Sequence, residues 1–196
     1  MDKLGFHQEG LTTSEGQNST EAVTIGEALR LLENSLVAFE GDLQFDLSAF
    51  SNELINLSLE RVQDQRGQVI TIIDVSEFTF PSEVASRLAL IISCFTSYAF
   101  TRISRSAPST PILSIHLTSP LITEEKTTGW NLKMSVEALA EGGTYTLEHR
   151  ASGLERALTL LCGELGTKAQ VQEDTVSCFV TIELDEKLDL SAVSYP

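Results

Sequence analysis

The chain has 196 residues, 42% of them hydrophobic and 21% charged, which fits one packed domain with a sizeable core and a modest helical appendage. Lysine and arginine number 13 against 28 aspartates and glutamates, a formal charge of −15. That balance argues against DNA, RNA or anionic membranes as partners, because no basic stripe exists to release counterions, and it reads as an aid to solubility rather than the mark of a dedicated basic partner. The first twenty residues lack the charged start and apolar centre of a signal peptide, and no apolar run is read as approaching bilayer-spanning length. Cys94, Cys162 and Cys178 stand singly in apolar segments without C-x-x-C spacing, so they read as buried small hydrophobes in a reducing cytoplasm.

Residues 1–20 are rich in Gly, Ser, Thr and Gln without a period and read as a flexible N-terminal arm. A helix is predicted over Glu21–Phe39, with Ile25, Leu29, Leu32 and Leu36 on one face, broken by Gly41 and Asp42. A second helix follows over Leu47–Gln65 with Asp46 as its N-cap. Residues 21–66 thus read as a helical segment preceding an α/β unit over 67–185. Gln68–Asp74 is β-branched and nearly all apolar, the pattern of a strand buried on both sides.

Pro81 opens a long helix reaching Ser104, with Val84, Leu88, Ile91, Ile92, Phe95, Ala99 and Ile103 at intervals of three and four. A Ser/Pro loop leads to a strand over Ile112–Thr118. A turn-rich connection leads to Trp130–Ala138, where Leu132, Met134 and Val136 alternate with Lys133, Ser135 and Glu137 in the manner of a half-solvated antiparallel strand. Ser152–Leu165 is predicted as a helix stopped by Gly166, followed by strands at Ala169–Gln172 and Val176–Leu184 and a tail over 186–196. The fold class is α+β, a two-layer α/β sandwich in which helices cover a mixed, mostly antiparallel sheet.

The long helix, PSEVASRLALIISCFTSYAFTRIS, resembles the nucleotide-binding helix of histidine-kinase ATPase domains in the GHKL superfamily, nearest the HWE type. That family's pattern is L-x-L-I-L-N-E-L-x-x-N-A-x-K-H, and its asparagines hold magnesium and phosphates. The segment SGLERALTLLCGELG is similar to the family's second glycine stretch, and the likeness of element order runs from about Ala28 to Leu184. The resemblance implies a histidine-kinase-like fold in which residues 21–66 are what remains of a dimerisation hairpin plus the lead-in helix.

The departures imply a degenerate nucleotide pocket. Ser93 and Cys94 stand where the pattern has Asn-Glu, Tyr98 where it has the second Asn, and Arg102 where it has His. Val136, Ala138 and Ala140 fall on the positions of the D-x-G-x-G motif, so the carboxylate that accepts the adenine amino group is replaced by an isopropyl group. Of the second glycine box only Gly153 survives, offset by one, and the lid shrinks to about residues 141–151, where Gly142-Gly143 reads as a turn. Arg102 reads as a solvated helix-end arginine, and Phe95, Tyr98 and Met134 are large enough to help fill the old cleft.

No histidine is well placed as a phosphoacceptor: His7 lies in the arm, His116 points outward from a strand, and His149, beside Glu148, is only a weak candidate. The carboxylate pairs Glu124-Glu125 and Glu183/Asp185 read as solvated, Ser93 has no base or acid partner, and no metal-ligand spacing is present. The expectation is a non-catalytic protein linked to two-component signalling, with no cofactor and no metal. It would bind a response regulator or a histidine kinase, and its first helix would form either core or half of a homodimer interface. The alternatives are a histidine phosphotransferase and a purely structural or regulatory homodimer.

Overall fold

A computed structural model describes residues 25–39, 42–62, 69–75, 79–105, 110–118, 130–137, 152–174 and 176–184. The first element, α1 (Ile25–Asn34), buries Ala28, Leu31 and Leu32 along one stripe. It ends where the Ser35 amide and hydroxyl both donate to the Leu31 carbonyl, at 3.0 and 2.8 Å. The predicted helix to Phe39 is therefore corrected: Leu36–Phe39 is a strand, β1, paired antiparallel with β2 (Asp42–Asp46). The sequence LVAFEGDLQFD carries a hairpin's signal, a Glu-Gly-Asp turn between apolar runs, which the helical period of the preceding residues masks. Asp46 ends that hairpin and caps α2 (Leu47–Val62), accepting from the Ala49 amide at 2.9 Å, so the predicted cap is present.

A short strand, β4 (Thr79–Pro81), joins β2 to complete a three-stranded sheet, and the long helix α3 (Ser82–Arg105) begins one residue after Pro81. Within it, Val84–Ile103 has the length and composition of a membrane-crossing helix, contrary to the sequence expectation. Here most of that stretch is buried, because α1, α2 and α4 (Ser152–Glu164) all pack on α3. Leu88, Ile91, Ile92, Phe95 and Ala99 are fully enclosed.

The second sheet has five strands, β3 (Ile70–Val75), β5 (Ile112–Thr118), β6 (Trp130–Glu137), β7 (Ala169–Glu173) and β8 (Cys178–Leu184), in the order β3-β5-β6-β8-β7. Only β3 and β5 are parallel. The face toward the helices carries Leu113, Ile115, Leu117, Leu132, Met134, Val136, Val180 and Ile182, all buried. Here the mostly apolar sequence of β3 misleads. It is an edge strand with Ile70 at 47% and Ile72 at 43% exposure, rather than one buried on both sides.

Gly166 ends α4 with a φ of +69°. Its amide donates to the Gly163 carbonyl (3.2 Å) and the Thr167 amide to the Cys162 carbonyl (2.9 Å), the paired closure that left-handed residues give a helix end. Residues of both the N-terminal segment and the α/β unit share one apolar cluster, in which Leu31, Leu32, Phe50 and Leu54 join Leu88, Phe95 and Leu158.

Candidate functional site

The C-terminal half of α3 places Tyr98 and Arg102 one turn apart, facing the turn between β7 and β8. Glu173 ends β7 there, and Asp174 folds the turn by accepting from the Val176 amide (2.8 Å), the Ser177 amide (2.6 Å) and the Ser177 hydroxyl (2.8 Å). Those bonds, led by the Ser177 hydroxyl, hold the Asp174 carboxyl below its ordinary range.

Arg102 is buried, 3% exposed, which corrects its reading as a solvated helix-end residue. Its Nη1 lies 3.0 Å from Glu173 Oε1 and 3.3 Å from the Ser177 carbonyl, and its Nη2 donates to the Asp174 carbonyl at 3.2 Å. The guanidinium also stands 5.9 Å from the centroid of the Tyr98 ring, whose hydroxyl donates to Glu173. Burial, then the bond to Glu173, pushes the Tyr98 phenol far above its ordinary value. Beneath them burial, with Glu173 adding to it, raises the Cys178 thiol to about 11. A residue at the end of a long amphipathic helix gives no sequence signal of burial. The missing clue was Glu173-Asp174, a carboxylate pair at a strand end that could receive it.

Four other residues expected at the nucleotide positions are described: Ser93, Cys94, Val136 and Gly153. The Ser93 hydroxyl is buried and donates back to the Ala89 carbonyl at 2.7 Å, while Cys94 is half-buried with its thiol raised by desolvation. Val136, expected at the adenine-aspartate position, is fully buried in the sheet, as are Phe95 and Met134 in the core. Gly153 lies exposed in the first turn of α4, where an added Cβ would meet nothing, so no close approach requires glycine there. Ala138, Ala140, Gly142, Gly143, His7, His149, Glu124, Glu125 and Asp185 lie outside the described residues. Among the described residues no cluster of three or more His, Cys, Asp or Glu could hold a metal.

The four residues expected to share a helical interface do not form one face. Leu32 is core, Leu29 is 41% exposed, Leu36 belongs to β1, and the side chain of Ile25 lies outside the described residues. The reason is rotation: the stripe that packs runs through Ala28, Leu31 and Leu32, and Leu29 falls beside it.

On the opposite face of the sheet, His116 Nδ1 lies 3.5 Å from Asp74 Oδ2 on the neighbouring strand, an ion pair when the imidazole is protonated. Beside it Ser135, placed outward by the alternation as expected, is nonetheless buried at 6%. It donates to Glu137 (2.9 Å) and stands 2.7 Å from the Ser114 hydroxyl, which therefore donates to it.

No family model and no curated protein sequence matches this chain. Among solved structures the chain is similar to the histidine kinase domain of the Erythrobacter litoralis EL346 blue-light activated histidine kinase. The identity is 18% and the TM-score 0.60, over 87% of this chain and 81% of that one. It is also similar to the longer E. litoralis EL346 blue-light activated histidine kinase, at 18% identity and a TM-score of 0.56, and spans only about half of that protein, 54% of its length. At such identities the likeness speaks for architecture alone, and it agrees with the five-stranded mixed sheet under four helices: this chain has the histidine-kinase-like ATPase fold.

Proposed function

We propose that this protein is a non-catalytic pseudo-histidine-kinase domain of two-component signalling, which binds a response regulator or a kinase partner and holds no ATP. The observation that carries the reading is the engagement of Arg102 and Tyr98 by Glu173, Asp174 and Ser177. Tyr98 stands where the resemblance puts a magnesium- or phosphate-holding asparagine and Arg102 where it puts a histidine, and both are bonded to protein groups. A triphosphate needs backbone amides, a cation, or magnesium on Asn or Asp oxygens. Ser93, Cys94 and Val136 offer none of these, and each is placed by helix or sheet packing. Such a protein acts by mass action on its partner rather than by turnover.

Titration with a fluorescent ATP analogue and magnesium tests this. No binding into the millimolar range is expected, and micromolar binding would end the reading. Capture of a purified response regulator or kinase, followed by surface plasmon resonance, tests the partner class.

A second reading, a histidine phosphotransferase, draws support from the exposed His116–Asp74 pair, since a phosphoacceptor imidazole benefits from a carboxylate that orients it. Labelled phosphate supplied by a phosphorylated receiver would transfer to the wild type and be lost in H116Q or H149Q. No transfer to the wild type removes that reading.

A further inference from the structure

Five large apolar side chains are exposed among the described residues, and three of them, Ile70, Ile72 and Phe179, stand on the sheet face turned away from the helices. The pairing registers place Ile72, Ser114, Ser135, Phe179 and Gln172 in a single row across β3, β5, β6, β8 and β7. Ile72 and Phe179 therefore stand three strand spacings apart, about 14 Å. Between them lie two small residues, Ser114 and Ser135, whose hydroxyls are already satisfied by each other and by Glu137. The result is a shallow trough flanked at this row by Ile72 and Phe179, with the two buried serines as its floor, while one residue pair further along β5 and β6 His116 stands opposite Lys133. Its width matches an α-helix with side chains, about 10 Å across, lying parallel to the strands.

The charges around it select the occupant. Asp74 on one wall, Glu183 on the other and Glu137 on the floor outnumber Lys133, with His116 beside Asp74. A second copy carries the same −15 charge, and self-association here would bring like charges together. The chain's own ends fit no better. Residues 1–24 hold Asp2, Glu9, Glu15 and Glu21 against Lys3, and residues 185–196 hold Asp185, Glu186 and Asp189 against Lys187.

We infer that this trough is the docking site for a basic amphipathic helix of another protein. Its apolar stripe would lie between Ile72 and Phe179, and its lysines and arginines would meet Asp74, Glu137 and Glu183. The inference deepens the binding role proposed above and rests on it. It also gives part of the acidity a recognition role, where composition alone suggested solubility.

The probe is a fluorescein-labelled Leu/Lys/Ala peptide of about six helical turns with one apolar stripe, compared with a scrambled peptide of identical composition. Binding by anisotropy is expected for the striped peptide and at least about tenfold weaker for the scrambled one. The double variant Ile72→Thr/Phe179→Thr keeps strand-favouring residues and is expected to weaken binding about tenfold, whereas Leu160→Ser, on the exposed side of α4, leaves it unchanged. Amide shift changes in the wild type, confined to β3, β5, β6 and β8, give the same answer without any variant.

Equal binding of both peptides, shift changes elsewhere, or no binding would each overturn the inference. So would tighter binding after deletion of residues 185–196, which would place the chain's own tail on the trough. A concentration-dependent molar mass abolished by Phe179→Thr would assign the face to a second copy instead. Micromolar ATP binding would end the non-catalytic reading whatever the peptide does, while a protein that captures its receiver but ignores the peptide loses only this face.

Discussion

Arg102 and Glu173 form a largely buried ion pair. The Arg102 side chain is 4% exposed and that of Glu173 15%, so removing the guanidinium strands a mostly buried carboxylate and two turn carbonyls. R102M is expected to lose about 3 kcal/mol in urea unfolding. The pair Arg87–Glu164, 3.3 Å apart but with side chains 38% and 63% exposed, is its control, and R87A should change stability by less than about 0.5 kcal/mol. Asp174 adds a pH signature to the same turn. Its folded-state pKa is depressed below the ordinary 3.8, so its contribution is present above that value and lost as pH falls through the lower folded one. D174N should be less stable than the wild type at pH 6, with the gap closing below pH 3.8, as followed by denaturant midpoints across that range.

Among the elements, α1 and α4 give the clearest tests. Leu32 is buried and its neighbour Leu29 is 41% exposed, so L32A should cost about 2–4 kcal/mol while L29A costs almost nothing. A large loss for L29A that grows with protein concentration would instead put that helix face in a dimer. At the end of α4 an added Cβ on Gly166 meets nothing, so the cost of G166A comes from the positive φ alone. Thermal unfolding should place it at about 1 kcal/mol. β3 makes the opposite point. Its apolar, β-branched residues form a strand by local preference, yet its place at the sheet edge leaves them in contact with solvent.

For the whole molecule the continuous core decides the behaviour. α1 and α2 supply Leu31, Leu32, Phe50 and Leu54 to the same cluster as α3 and the five-stranded sheet. The N-terminal segment should therefore not melt separately. Far-UV circular dichroism and the fluorescence of Trp130, the one tryptophan and buried at 5% beside Phe80, should report a single coincident transition. An early helical transition that leaves Trp130 unchanged would show the segment to be an independent unit.

The amphipathic periods of α2, α3 and α4, the Asp46 cap, the Gly166 stop and the alternation of β8 are local rules, and the sequence determined them unaided. The absence of Asn and Asp oxygens at Ser93, Cys94, Tyr98 and Val136 is likewise a matter of residue type, which folding does not change. What depends on contacts between distant residues was decided only by the tertiary structure. Strand β1 lay hidden inside a helical period, and Arg102 looked solvated until Glu173 and Asp174, some seventy residues away, arrived beside it. The trough between Ile72 and Phe179 exists only through strand order, which sets residues more than a hundred positions apart in one row. Burial and pairing across the chain are global sums, and no window of neighbouring residues contains them.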